Sequence, residues 1–134
     1  MSLSPTEQAL VQAARSARAH AYAPYSGYAV GAAVLTDDGR VFAGCNVENA
    51  SYGLSVCAER VAVFSAIVAG AQRLVAAAVC TPDGGTPCGA CRQVLLEFAD
   101  APESFTVWVV SPDRVVARYT LAELIPHGFR LNNG

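Results

Sequence analysis

Apolar residues along the chain switch between helical and strand spacing, and each switch marks an element. SPTEQALVQAARSARAHA, Ser4 to Ala21, has Ser4 as N-cap, Pro5 at the first helical position and Glu7 completing a capping box, so a first helix is predicted to about Ala21. Two strand-like runs follow, YAVGAAVLT (Tyr28 to Thr36) and RVFAGCNV (Arg40 to Val47), joined by the hairpin signal Asp37-Asp38-Gly39. The polar, glycine-containing NVENASYGLS is expected to be a loop. From Cys57 the period is helical, with Cys57, Val61, Phe64 and Val68 on one face and Gly70 as the stop. RLVAAAVC reads as a buried strand and TPDGGTP as a turn-rich loop. A third helix is predicted from Cys88, with Cys88, Cys91, Leu95 and Phe98 along one face. FTVWVV and VVARYT are strands on either side of Pro112-Asp113, and a capping box from Thr120 to Glu123 opens a short helix before Pro126.

The order α-β-β-α-β-α-β-β-α predicts an α/β fold of three layers, α/β/α, with one mixed five-stranded sheet and helices on both faces. With 134 residues and no linker, internal repeat or low-complexity segment, residues 1–134 are expected to form one domain. Two helices directly follow strands, and right-handed crossovers place such helix starts at the carboxyl edge of the sheet. Cysteines at both starts are therefore expected to meet there.

Composition narrows the class. The chain is 53% hydrophobic and 15% charged, against about 45–50% and about 25% in ordinary globular domains. That apolar excess predicts burial between subunits, hence a homo-oligomer. A net charge of -2, the absence of Lys and nine scattered arginines argue against a nucleic-acid partner, whose affinity would come from counterion release by a basic stripe. The most apolar stretch, Val61 to Ala71, is interrupted by Ser65 and too short to cross a bilayer, and MSLSPTEQAL lacks the pattern of a signal peptide. A cytoplasmic protein with no membrane association is expected. Five cysteines, an odd number, then point to metal or catalysis rather than a disulfide framework.

Cys88 and Cys91 lie one turn apart at a helix start, so their side chains aim the same way, and Cys57 opens the preceding helix. Three thiolates and one open position is how catalytic zinc is held, whereas structural zinc normally has four protein ligands. Water at the open position would have its pKa lowered to about 7. Three thiolates also overcompensate the metal, and Arg60, three residues after Cys57, can reach back to offset them, as can the two helix N-termini. Glu59 can project past the helix end as a proton carrier. Two other readings stand beside this one. Cys88-Gly89-Ala90-Cys91 could be a thioredoxin-like redox pair, or a structural zinc site could draw a fourth ligand from Cys45, Cys80, His20 or His127.

CAER (Cys57 to Arg60) followed by PCGAC (Pro87 to Cys91) resembles the zinc-dependent cytidine deaminases in their three-cysteine form. NVENASY and the late LIPHGF are similar to segments of the members that act on free nucleosides, and the likeness runs from YAPYSGYAVGAA to LIPHGF. The resemblance implies one Zn2+ per subunit on Cys57, Cys88 and Cys91, with Glu59 shuttling protons during hydrolytic deamination at C4 of cytosine. It implies that Asn46 and Glu48 bind the ribose and the Ala58 N–H helps hold the base. It also implies a homotetramer of pyrimidine salvage in which an aromatic from a neighbouring subunit, Phe129 with Tyr52, closes the pocket. Cytidine and deoxycytidine are the expected substrates, a relative acting on another aminopyrimidine nucleoside such as blasticidin S being the alternative. Tyr28 departs from the family's usual Phe, and its hydroxyl needs a partner if buried.

Overall fold

The structure, a computed structural model, describes residues 2–131. Helix α1 spans Pro5–Arg18 and starts with both bonds of the capping box: the Glu7 N–H donates to Ser4 Oγ at 3.2 Å, and the Ser4 N–H donates to Glu7 Oε1 at 2.8 Å. Strands β1 (Gly31–Thr36) and β2 (Val41–Cys45) form the hairpin, followed by a short 3-10 turn, Tyr52–Leu54. Helix α2 (Ala58–Val68) leads to β3 (Leu74–Cys80), α3 (Gly89–Phe98), β4 (Thr106–Val110), β5 (Val115–Thr120) and α4 (Leu121–Leu124). The expected order is the observed one.

The sheet runs β2-β1-β3-β4-β5, with β3 and β4 parallel and the other neighbours antiparallel. Gly31, at the start of β1, pairs with Cys45 on one side and Cys80 on the other. The carboxyl ends of β2 and β3 therefore lie at one edge, flanking the start of β1, and α2 and α3 both begin from that edge. Side-chain alternation separates two cores. Ala77, Val79, Val107 and Val109 face α2, α3 and α4, whereas Ala76, Ala78, Cys80, Trp108 and Val110 pack with Leu10, Val11 and Ala14 of α1. Among the described residues no helix is long and apolar enough to cross a membrane.

Three local differences from the sequence reading have physical causes. Helix α1 stops at Arg18 rather than near Ala21, so His20 lies in the turn beyond it, and Arg18 Nε donates to Ala29 O at 2.8 Å to secure the returning chain. Strand β1 starts at Gly31 rather than Tyr28 because the Asn46 side chain takes the place of a ladder: Nδ2 donates to Tyr28 O at 2.8 Å and Oδ1 accepts the Val30 N–H at 2.9 Å. On α2, the stripe of Val61, Phe64 and Val68 does not face the core. Ala58, Ala62, Val63 and Ala66 do, while Phe64 is 48% and Val68 89% exposed.

The small residues explain that choice. A Cβ on Gly44 would lie 2.5 Å from the Ala62 backbone nitrogen, and one on Gly31 would lie 2.0 Å from Ala14 O. The two strands thus touch helix backbones on opposite faces with no room for a side chain. Gly31→Ala should destabilise the fold by about 3 kcal/mol or more, since overpacking against backbone cannot be relieved by a rotamer change. Urea denaturation beside Gly53→Ala, whose Cβ would meet nothing within 4 Å, measures the difference. Equal stability of the two variants would contradict this packing.

Candidate active site

Cys57 and Cys88 are the N-cap residues of α2 and α3, and neither side chain makes a capping bond. Their sulfurs are free to face one another, in front of first-turn N–H groups that favour negative charge. Cys88 Sγ lies 3.5 Å from Cys91 Sγ and 3.9 Å from Cys57 Sγ, and all three lie within 4.8 Å of one another. Tetrahedral zinc with Zn–S bonds of about 2.3 Å needs sulfurs about 3.8 Å apart, a value these two separations bracket. The donor set fits zinc. Cys45 ends β2 outside the cluster and Cys80 is buried on the α1 face, and neither histidine joins the three sulfurs. Among the described residues there is no fourth ligand, so the structural-zinc alternative loses its basis.

Charge at the cluster is arranged in layers. Arg60 Nη2 donates to Cys57 Sγ at 3.4 Å. The Cys57 thiol is held down to about 5, first by hydrogen bonding from the nearby Cys91 thiol and then by the Arg60 guanidinium. Cys91 is pushed up correspondingly, first by the neighbouring Cys57 and then by burial. Without metal, Cys91 thus retains a proton that a divalent cation would displace. Glu59 is only 6% exposed, and its carboxyl is pushed up to about 7, first by burial and then by the Cys57 charge. A carboxyl poised near neutrality can both take and give a proton.

Cys57 and Cys88 line a cleft of about 480 Å3, with Cys91 buried behind them; its walls also include Tyr28, Asn46, Glu48, Ala58, Glu59 and Tyr52. Glu48, nearly buried, accepts from the Tyr25 N–H at 2.9 Å, the Ser26 N–H at 3.2 Å and the Ser26 hydroxyl. The Ser26 hydroxyl is the main cause that holds its carboxyl below the usual range, so it is charged at neutral pH. Counting donors and acceptors, Glu48 keeps about one lone-pair site, and Asn46 keeps one N–H and one lone pair. Both can therefore meet a polar ligand without giving up a structural bond. Phe129 lies outside the cleft of its own chain and is 68% exposed, as Tyr52 is at 66%.

Sequence reasoning missed several contributors. Ser26, Thr81 and Thr86 line the cleft. Arg92, next to Cys91, donates to Pro87 O at 2.7 Å, Leu124 O at 2.7 Å and Thr86 Oγ1 at 3.0 Å, tying the segment before Cys88 to the end of α4. Its position directly after the second cysteine of the pair was the available signal.

The geometry agrees with what the chain resembles. Residues 4–106 match the model of the cytidine and deoxycytidylate deaminase zinc-binding region. The chain belongs to that deaminase family. It is 48% identical over 122 residues to a cytidine deaminase of Mycobacterium tuberculosis, covering 90% of this chain and 86% of the relative. It is 45% identical over 124 residues to that of Halalkalibacterium halodurans, covering 91% and 92%. The crystal structure of cytidine deaminase from Burkholderia pseudomallei superposes with a TM-score of 0.84 at 48% identity, covering 91% of this chain and 98% of that one. The deaminase family's three-layer fold and its zinc-binding region thus coincide here with three cysteines placed for a metal ion.

In the metal-free deaminase Glu59 carries a pH signature. Its pKa rises from 4.5 in the ordinary state to about 7 in the fold, so the folded chain holds the proton more tightly. Its contribution to stability is complete below pH 4.5 and is lost as pH rises through 7. Relative to the parent, Glu59→Gln should therefore gain stability across that window and plateau above it, in urea denaturation with a chelator present. A gap that does not change with pH would contradict the burial of this carboxyl.

Proposed function

We propose that this chain is a zinc-dependent cytidine deaminase that hydrolyses free cytidine and deoxycytidine to uridine and deoxyuridine with release of ammonia. The observation that carries this reading is the cluster of Cys57, Cys88 and Cys91 at the wall of a nucleoside-sized cleft, lined by Cys57 and Cys88, with Glu59 buried beside it. The three thiolates would hold the metal. Zinc, when bound, supplies a Lewis acid that makes water acidic enough to act as a nucleophile at neutral pH.

The chain's own residues divide the remaining work. Glu59 takes a proton from water, delivers it to N3 of the cytosine ring and later carries a proton to the departing amine. Arg60 offsets the thiolate charge through its bond to Cys57, so that the metal retains its electrophilic character. Asn46 and Glu48 use their unspent N–H and lone pair on the sugar hydroxyls, and the Ala58 N–H at the start of α2 orients the base. The Tyr28 ring packs on the nucleoside.

We also propose a homotetramer in which pockets are shared. The exposed Phe64 and Val68 of α2 and the exposed Phe129 and Tyr52 supply apolar surface that a monomer would leave in water. In this reading Phe129 of a neighbouring subunit covers the cleft mouth beside Tyr52. Residues 1–134 then act as one catalytic domain, in the cytoplasm, in pyrimidine salvage.

Ammonia and uridine release from cytidine by zinc-loaded protein tests the reading. Glu59→Ala should retain zinc and lose about 10²–10⁴-fold or more in kcat, because proton transfer is its task. Cys88→Ala should lose zinc. Turnover that persists in Glu59→Ala, or full zinc occupancy in Cys88→Ala, would refute the assigned roles.

A further inference from the structure

Tyr28 makes a bond that the deamination chemistry does not require. Its hydroxyl donates to Asp83 Oδ1 at 2.5 Å, and Thr81 Oγ1 donates to the same oxygen at 3.3 Å. Thr81 Oγ1 in turn accepts the Gly85 N–H at 2.7 Å. Tyr28 is thereby linked through Asp83 and Thr81 to Gly85, in the loop that connects β3 to the Cys88 ligand.

The loop is secured at both ends by other means. The Thr81 N–H donates to Val110 O at 3.1 Å, and Arg92 holds Thr86 and Pro87. Between them, Tyr28 is the one hydrogen-bond partner from outside the loop that residues 82–85 have among the described residues. Packing confirms how close the fit is. Gly84 has φ +78 and a Cβ there would lie 2.7 Å from Val116 Cγ2, while a Cβ on Gly85 would lie 3.2 Å from the Tyr28 hydroxyl. The two glycines let the loop pass between β5 and Tyr28. Thr81, Thr86 and Tyr28 all line the cleft, so the position of this loop shapes the cleft wall.

We propose that Tyr28 and Asp83 form a latch that fixes the 81–86 loop as one wall of the nucleoside cleft, making Tyr28 a positioning residue through its hydroxyl as well as a wall through its ring. The inference rests on the deaminase reading for its substrate and on the hydrogen bonds above for its geometry. Phe at position 28 would fill the same wall and leave Asp83 without its outside partner. The hydroxyl donates a hydrogen bond to Asp83, so its polarity is satisfied without the substrate. The ionisation of both groups agrees: the Tyr28 hydroxyl holds the Asp83 carboxyl below its usual range, and burial followed by Asp83 pushes the Tyr28 phenol up. The pair stays a neutral donor and a charged acceptor throughout neutral pH.

Tyr28→Phe, Asp83→Ala, Asp83→Asn and the double variant Tyr28→Phe/Asp83→Ala test the latch in the zinc-loaded full chain. Two measurements are made on each: hydrogen exchange of the 82–86 amides, and KM and kcat for cytidine with zinc content. Tyr28→Phe and Asp83→Ala should each speed exchange in that segment and raise KM about three- to tenfold, with kcat within about twofold and zinc unchanged, as expected for loss of one solvent-exposed hydrogen bond. The double variant should be no worse than the worse single, and Asp83→Asn, which keeps an acceptor, should lie nearer the parent. Parent-like exchange, single effects that multiply in the double, or faster exchange with unchanged KM would each overturn the proposal. A parent that does not turn over cytidine would remove the deaminase reading instead, and the exchange comparison would still decide whether the latch exists.

Discussion

Three sulfurs from two helices can share one metal only if both helices begin at the same place, and the sheet enforces that. Because β1 lies antiparallel to both β2 and β3, the latter two run the same way and end beside Gly31. The chain leaving β3 enters α3 through Cys88, and the chain leaving β2 reaches α2 through Cys57. The remaining features of the site follow from that shared edge: the open first-turn N–H groups, the cleft between the two entering segments and the burial of Glu59 against the cluster. Gly31 and Gly44 support it from behind, since helices on both faces can approach closely only where strands lack side chains.

Charge is the second constraint. Three thiolates in a half-buried pocket repel one another unless metal, helix ends and Arg60 compensate them. Without the metal, burial and then the Cys57 charge raise the Glu59 carboxyl to about 7. One arrangement therefore has two effects, placing three sulfurs for a cation and raising the proton affinity of the carboxyl beside them. Moving Glu59 into solvent would forfeit the second without touching the first.

Much of this was legible in the sequence because it depends on local chemistry. The two capping boxes, the hairpin at Asp37-Asp38-Gly39 and the cysteines at helix starts are short-range signals, and the structure contains each of them. What was not legible depends on which neighbour a residue meets. Phe64 and Val68 share a helical face with Cys57, yet Ala58, Ala62, Val63 and Ala66 take the core, where the α2 backbone at Ala58 and Ala62 lies against Gly44. Tyr28 reads as strand, but the Asn46 side chain supplies its backbone partners. The need for a partner to the Tyr28 hydroxyl was visible; that Asp83, 55 residues away, provides it was not. Arg92 likewise acts through carbonyls distant in sequence.

The proposed chemistry depends on a metal held by three cysteines with one position left open. X-ray absorption at the zinc edge of the freshly purified, fully loaded protein tests it directly. Three sulfur neighbours at about 2.3 Å and one lighter oxygen or nitrogen neighbour per zinc are expected. Four sulfurs, or a purified protein that takes up no zinc, would contradict it.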